Sequence, residues 1–259
     1  MKKFLKLLAL LVILGLFIMG QFGYTTQSDV VTFADPNLEQ AVRNTLGIPT
    51  GQPITRADMT RLTSLYAESS GIQNLSGLEY AINLQDLYLE SNQISDINPL
   101  ANLTNLQELH LDYNQISNIN PLANLTNLLV LYLYSNQIND INPLANLTNL
   151  QKLDLDYNQI SNISPLANLT NLQELNLWLN QISDISPLAN LTNLQKLVLG
   201  ENQISNISPL VSNTGLGQGD LVNLQNNLLD LTPGSDDMQN IQILQNRGVI
   251  VYYQSIAGY

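Results

Sequence analysis

Glu108, His110 and Asp112 stand at alternate positions of one short segment, and Asp154 and Asp156 repeat the spacing further on. Side chains two apart in an extended strand share a face. These five groups are therefore the best placed in the chain to do chemistry. Paired carboxylates are the machinery of glycoside hydrolysis, and carboxylates beside an imidazole can hold a divalent cation. Composition narrows the choice. The chain has 259 residues, no Cys and a single His. That removes disulfides, thiolate zinc sites, Cys nucleophiles and any site needing two imidazoles from one chain. The constellation occurs once, on a segment that reads as a flat, open face without a water-excluding pocket. Weak cation binding and catalysis stay as rival readings, but no catalytic residue, resident metal or cofactor is expected.

The elements that position these groups come from a repeat. Asn92, Asn114, Asn136, Asn158, Asn180 and Asn202 recur every 22 residues, in units that begin at Leu84, Leu106, Leu128, Leu150, Leu172 and Leu194. The units place Leu or Ile at the same seven positions, such as Leu84, Leu87, Leu89, Ile94, Ile97, Leu100 and Leu103, except that the sixth unit ends on Asn213. A degenerate unit precedes them (Leu62 to Leu78). Another follows an expansion around Ser212–Asp220, with Val222, Leu224 and Asn227 in the equivalent places. The L-x-L step has period two and predicts a short strand with both leucines inward. The Asn three residues later falls where the chain turns, and its amide suits a stacked, hydrogen-bonded column. Asn98-Pro99 and Ser186-Pro187 suit the N-cap and N1 of a tight helical turn on the opposite side. The outer column Asp96, Asn118, Asp140, Asn162, Asp184 and Asn206 is expected to bind turn backbone rather than calcium. Asn102-Leu103-Thr104 and its copies match a glycosylation sequon, but they recur with the repeat and read as part of the turn.

By these units the chain resembles the bacterial leucine-rich repeat proteins of the internalin type. The resemblance rests on L-x-x-L-x-L-x-x-N-Q-I-S-D-I-x-P-L-A-N-L-T-N and covers Leu62 to about Asn227. It implies an α/β solenoid: a leucine-rich repeat horseshoe with a concave parallel β-sheet and convex 3-10 or turn segments. It also implies binding of a protein through the concave sheet. The flanks fit caps. Asp35-Pro36 opens a helix with Leu38, Val42 and Leu46 on one side and Gly47 at its end, and Thr55 with Asp58 opens a second. This looks like the helical N-terminal cap of that family. Ser235–Asn246 reads as a helix, stopped by Gly248, and Val249–Tyr253 as a final strand, together a helix-strand C-terminal cap. The expected organisation is 1–24 signal or anchor, 25–61 linker and N-terminal cap, 62–227 repeats (about eight, six of them regular) and 228–259 C-terminal cap. No sortase motif, hydrophobic tail or immunoglobulin-like domain is read in the chain, so host-cell invasion is not carried over from the resemblance. Intracellular phosphatase-regulating repeat proteins share the unit, but the N-terminal segment weighs against that branch.

That segment sets Lys2, Lys3 and Lys6 before an uncharged run from Leu7 to Gly20. Positive charge ahead of a short apolar core reads as a secretory signal, with Ile18 and Gly20 as the best −3 and −1 residues. Leu7–Tyr24 also approaches the length of a membrane anchor. Either reading sends the remainder out of the cytoplasm, secreted or held at the membrane by this segment alone. The chain carries 21 Asp+Glu against 9 Lys+Arg, a net charge of −12. Such a surface field does not attract nucleic acid or anionic lipid.

Variation among the copies is concentrated in four columns on the outward side of the strands. They read Ser64, Asp86, Glu108, Val130, Lys152, Glu174, Lys196; then Tyr66, Tyr88, His110, Tyr132, Asp154, Asn176, Val198; then Glu68, Glu90, Asp112, Tyr134, Asp156, Trp178, Gly200; and, at the rim, Ser69, Ser91, Tyr113, Ser135, Tyr157, Leu179, Glu201. These positions hold the single Trp, the single His and six of the eleven Tyr. Rigidly presented aromatics anchor protein interfaces; the plainer alternative is cross-strand packing on a solvated face. Eight strands give a floor about 38 Å by 13 Å. The expected site comprises Tyr66, Tyr88, Glu90, Glu108, His110, Asp112, Tyr113, Tyr132, Tyr134, Lys152, Asp154, Asp156, Tyr157, Glu174, Asn176, Trp178 and Leu179. The expected partner is a protein with a basic or mixed surface, bound by a monomer; self-association in the cell envelope is the structural alternative.

Overall fold

A computed structural model describes residues 29–254. The expected export segment lies outside these residues. Nine parallel strands form one sheet in strict chain order: β1 Ser64–Tyr66, β2 Asp86–Tyr88, β3 Glu108–His110, β4 Val130–Tyr132, β5 Lys152–Asp154, β6 Glu174–Asn176, β7 Lys196–Val198, β8 Leu221–Asn223 and β9 Ile250–Tyr252. From β1 to β7 the register is the repeat itself, with Leu65, Leu87, Leu109, Leu131, Leu153, Leu175 and Leu197 stacked as direct partners. The architecture is the leucine-rich repeat horseshoe that the family resemblance implies. Repeated Leu and Ile columns fill a single continuous core between the sheet and the convex side.

The asparagine column bridges coils. Asn136 Oδ1 accepts from Ile116 N–H at 2.9 Å, while Nδ2 donates to Leu111 O (3.0 Å), Leu133 O (3.1 Å) and Tyr134 O (3.3 Å). Asn92, Asn114, Asn158, Asn180 and Asn202 repeat the pattern. Each amide thus pairs a buried N–H of the preceding coil that has no other partner, and it shares carbonyls with its neighbours in the column, as Leu111 O accepts from both Asn114 and Asn136. Just before it, the rim residue turns left-handed: φ is 58° at Ser91, 52° at Tyr113, 54° at Tyr157 and 53° at Leu179.

The convex side carries short 3-10 segments, for example Asn98–Leu100 and Ser186–Asn190. One expectation is corrected here. Asn98 and Ser186 do not cap these turns, since neither segment has a side-chain cap hydrogen bond. The outer column does that work two residues earlier: Asp96 Oδ1 accepts from Asn98 N–H at 2.9 Å and Asp184 Oδ1 from Ser186 N–H at 2.8 Å. A short Asx side chain reaches the N–H two residues on more readily than a residue already inside the turn can reach forward.

Both ends are sealed. Helix α1, Pro36–Leu46, begins at Asp35 and ends at Gly47 with φ 67°. Asp35 also joins the cap to the stack. One carboxylate oxygen accepts from Asn37 and Leu38 N–H, the other from Gln73 N–H (2.7 Å) and Asn74 N–H (3.3 Å) in the first coil. Burial opposes its charge, and the four N–H donors outweigh burial, so its pKa is lowered. Helix α2, Arg56–Met59, has a capping box between Thr55 and Asp58. In the expansion, helix α3 (Ser208–Ser212) leads to the fully buried Asn213, whose amide donates to Leu188 O and Leu191 O. Helix α4, Asp236–Asn246, starts at Ser235 and buries Ile241 and Leu244. Arg247 at its end donates to Val211 O (2.7 Å) and Asn213 O (3.1 Å), and β9 follows. Among the described residues no helix is long and apolar enough to cross a membrane.

Candidate functional site on the concave face

Alternation along each three-residue strand turns one leucine inward and its two neighbours outward. All seventeen expected site residues lie half-buried or exposed in the outward columns and the rim, while the leucines between them are fully buried. The aromatics form two ladders. In the first, Tyr66 stacks on Tyr88 at 4.7 Å between centroids, Tyr88 meets His110 at 4.3 Å, and His110 meets Tyr132 edge-on at 4.6 Å. In the second, Tyr134 receives Tyr113 at 4.7 Å and Tyr157 at 5.1 Å, both nearly perpendicular. The second ladder crosses from rim to floor and back because the left-handed turn swings Tyr113 and Tyr157 out of the strand alternation.

Trp178 sits differently. Among the described residues it stacks on no other ring; it lies over Gly200 of the next coil. A Cβ built on Gly200 would come 2.2 Å from the indole Cζ3. The glycine is thus the seat of the tryptophan, a relation that the isolated column position of Gly200 did not reveal. Its only trace in the chain is that the unit with Gly at the third outward position directly follows the one with the single Trp there.

The acids are held one by one. Glu108 accepts from the Tyr88 hydroxyl at 2.7 Å, and this bond, with burial, raises the Tyr88 pKa. Asp112 accepts from Tyr134 N–H at 2.8 Å and Asp156 from Trp178 N–H at 2.5 Å. Burial pushes Asp112 up to about 7, helped by the charges of Asp154 and Glu90; burial and Asp154 push Asp156 up to about 7. Lys152 pairs with Glu174 at 2.7 Å, and Asn176 donates to Asp154 at 2.8 Å. His110 is flanked by Tyr88 and Tyr132, and burial lowers its pKa against the pull of Glu90, Glu108 and Glu68. Glu90 Oε2, His110 Nε2 and Asn176 Oδ1 are buried without a hydrogen bond. Among the described residues no hydrogen bond joins Glu108, His110 and Asp112 to one another, and no group of three or more His, Asp or Glu is arranged to hold a metal ion.

A parallel solenoid with one strand per 22 residues, a bridging asparagine column and a capped leucine core defines a leucine-rich repeat protein. The model of tandem leucine-rich repeats (two copies) matches residues 82–124, 126–168 and 170–212. Internalin C2 of Listeria monocytogenes is 39% identical, with a TM-score of 0.77, over 88% of this chain and 99% of that one. The chain belongs to the internalin family of leucine-rich repeat proteins. Internalin InlF of the same organism is 29% identical, with a TM-score of 0.45, over 90% of this chain and 95% of its own. A plant peptide hormone receptor, RGFR1, solved in complex with RGF2, is 27% identical with a TM-score of 0.57, over 69% of this chain and 29% of the receptor. A search of curated proteins found no match.

Proposed function

We propose that the protein is an exported binding module that grips another protein through its concave sheet and performs no catalysis. One observation carries the reading. The columns that vary between copies come together as two continuous aromatic ladders set among acids on an accessible face, while the constant leucine, isoleucine and bridging asparagine columns are buried. A stiff frame presenting Tyr and Trp limits the entropy lost on association. Each of Glu108, His110 and Asp112 is engaged with a neighbouring aromatic or backbone group, which suits recognition better than proton transfer. The kinship with internalin C2, and the peptide hormone receptor in complex with RGF2 among similar structures, support the same class of role. Export rests on the basic and apolar segment 1–24, and a monomer is the expected state.

The test is capture of secreted or surface proteins by the purified chain, beside Trp178→Ala and Tyr134→Ala. Capture that weakens at least tenfold in either variant is expected. Capture that both variants retain in full rejects this face. A reporter fused after residue 24 that stays in the cytoplasm rejects export.

A further inference from the structure

Among strands β1 to β7, β4 stands in the middle and is alone in presenting three uncharged outward residues: Val130, Tyr132 and Tyr134. Both aromatic ladders converge on it. Tyr132 ends the first, and Tyr134 is the centre of the second. Alternate strand residues put Val130 and Tyr134 about 13 Å apart, so the three form an apolar crest running across the sheet.

Charge flanks the crest on both sides at one strand spacing, about 5 Å. In register with it lie Glu108 and His110 on β3, and Lys152 and Asp154 on β5. Asp112 and Asp156 continue the two flanks. The sides are unequal. On the β2–β3 side Asp86, Glu90, Glu108 and Asp112 have no lysine or arginine among them. On the β5–β6 side Lys152 is paired with Glu174, leaving Asp154 and Asp156. An apolar centre ringed by charge is the layout of an interface hot spot, where the ring excludes water from the anchors.

Resting on the concave-face reading, we propose that β4 is the docking crest and that its occupant is a segment of a foreign protein: an apolar ridge bordered on both sides by Lys or Arg, with more positive charge toward β2 and β3. A second copy of this chain does not fit, because its 21 acids against 9 bases would meet acids with acids.

The test pans a displayed library of randomised peptides against the full chain and measures affinities of the winners by titration. The expected winners place basic residues on both sides of an apolar ridge. They are expected to weaken tenfold or more on Tyr132→Ser with Tyr134→Ser, and less than threefold on Tyr252→Ser, exposed on β9 at the far end of the sheet. Glu108→Lys, which leaves the crest intact, is expected to weaken them tenfold and covers the case in which the crest variants fail to fold by circular dichroism. Acidic winners overturn the proposal. So do winners indifferent to folded crest variants, or to Glu108→Lys, but lost on Trp178→Ala; these leave the concave-face reading standing. Winners indifferent to every one of these changes, or no enrichment at all, overturn both.

Discussion

Asp112 shows how the environment of one side chain on the floor reaches the whole chain. Its pKa is pushed from 3.8 to about 7, mainly by burial, with repulsion from Asp154 and Glu90. A carboxyl whose pKa is higher folded than unfolded stabilises the fold in its protonated form. That contribution is full below about pH 4 and is lost as pH rises through about 7. Asp112→Asn keeps an oxygen for Tyr134 N–H and removes the charge. Thermal melts are expected to show the variant more stable than the parent at pH 8, by about 1 kcal/mol or more, with a smaller gap at pH 5 that closes only near pH 4. His110 works in the other direction: its lowered pKa stabilises above about 6.5 and loses that effect as pH falls. Comparing variant with parent at each pH cancels the His110 contribution. A gap that does not widen from pH 5 to pH 8 would remove burial as the cause. Gly200 offers a second test on the same scale. Gly200→Ala drives a methyl into the indole of Trp178. The expected result is a loss of about 1–3 kcal/mol and a change in the emission of the single tryptophan. Unchanged emission would mean that the ring does not rest there.

The coil is the next element up, and its bridging amide is the sharpest test of it. Asn136→Ala leaves Ile116 N–H unpaired, while Leu111 O keeps Asn114 and Leu133 O keeps Asn158. At about 1–3 kcal/mol for a buried group left unpaired, urea unfolding should show a loss of about that size. Asn136→Asp should be worse at neutral pH, since a carboxylate accepts from Ile116 but cannot donate to the carbonyls. A loss below 0.5 kcal/mol, to order of magnitude, would mean water replaces the amide easily. The rim residue beside it carries a conformational cost instead. Leu179 and Tyr157 sit at φ 53° and 54°, where a side chain is disfavoured.

Over the whole molecule, stability adds coil by coil, because each unit touches only its neighbours. Deleting residues 137–158 joins Asn136 to Gln159 in the same register and removes β5. A folded chain with a lower melting temperature and a smaller urea m-value is expected. Deleting 137–157 instead breaks the period by one residue and turns leucines outward, so that chain should not fold. Equal behaviour of the two deletions would contradict a solenoid held by register. Charge belongs to this scale as well. With a net charge of −12, association with a basic partner should slow as salt rises, while dissociation changes little.

Period alone was enough to place every inward leucine, the asparagine column and the strand order, because in a solenoid a residue's neighbour is its own copy 22 positions away. The caps were legible too, since Asp35-Pro36, Thr55 with Asp58, and Gly47 and Gly248 each carry a local backbone signal. Contacts between unlike residues in adjacent coils have no such signature. Only the folded chain seats Trp178 on Gly200, gathers both ladders at β4, buries Asp112 and Asp156 enough to move their protons, and denies Asn98 the cap its place before Pro99 suggested. Those outcomes depend on side-chain rotamers and strand spacing, which a repeat leaves open at the positions it allows to vary.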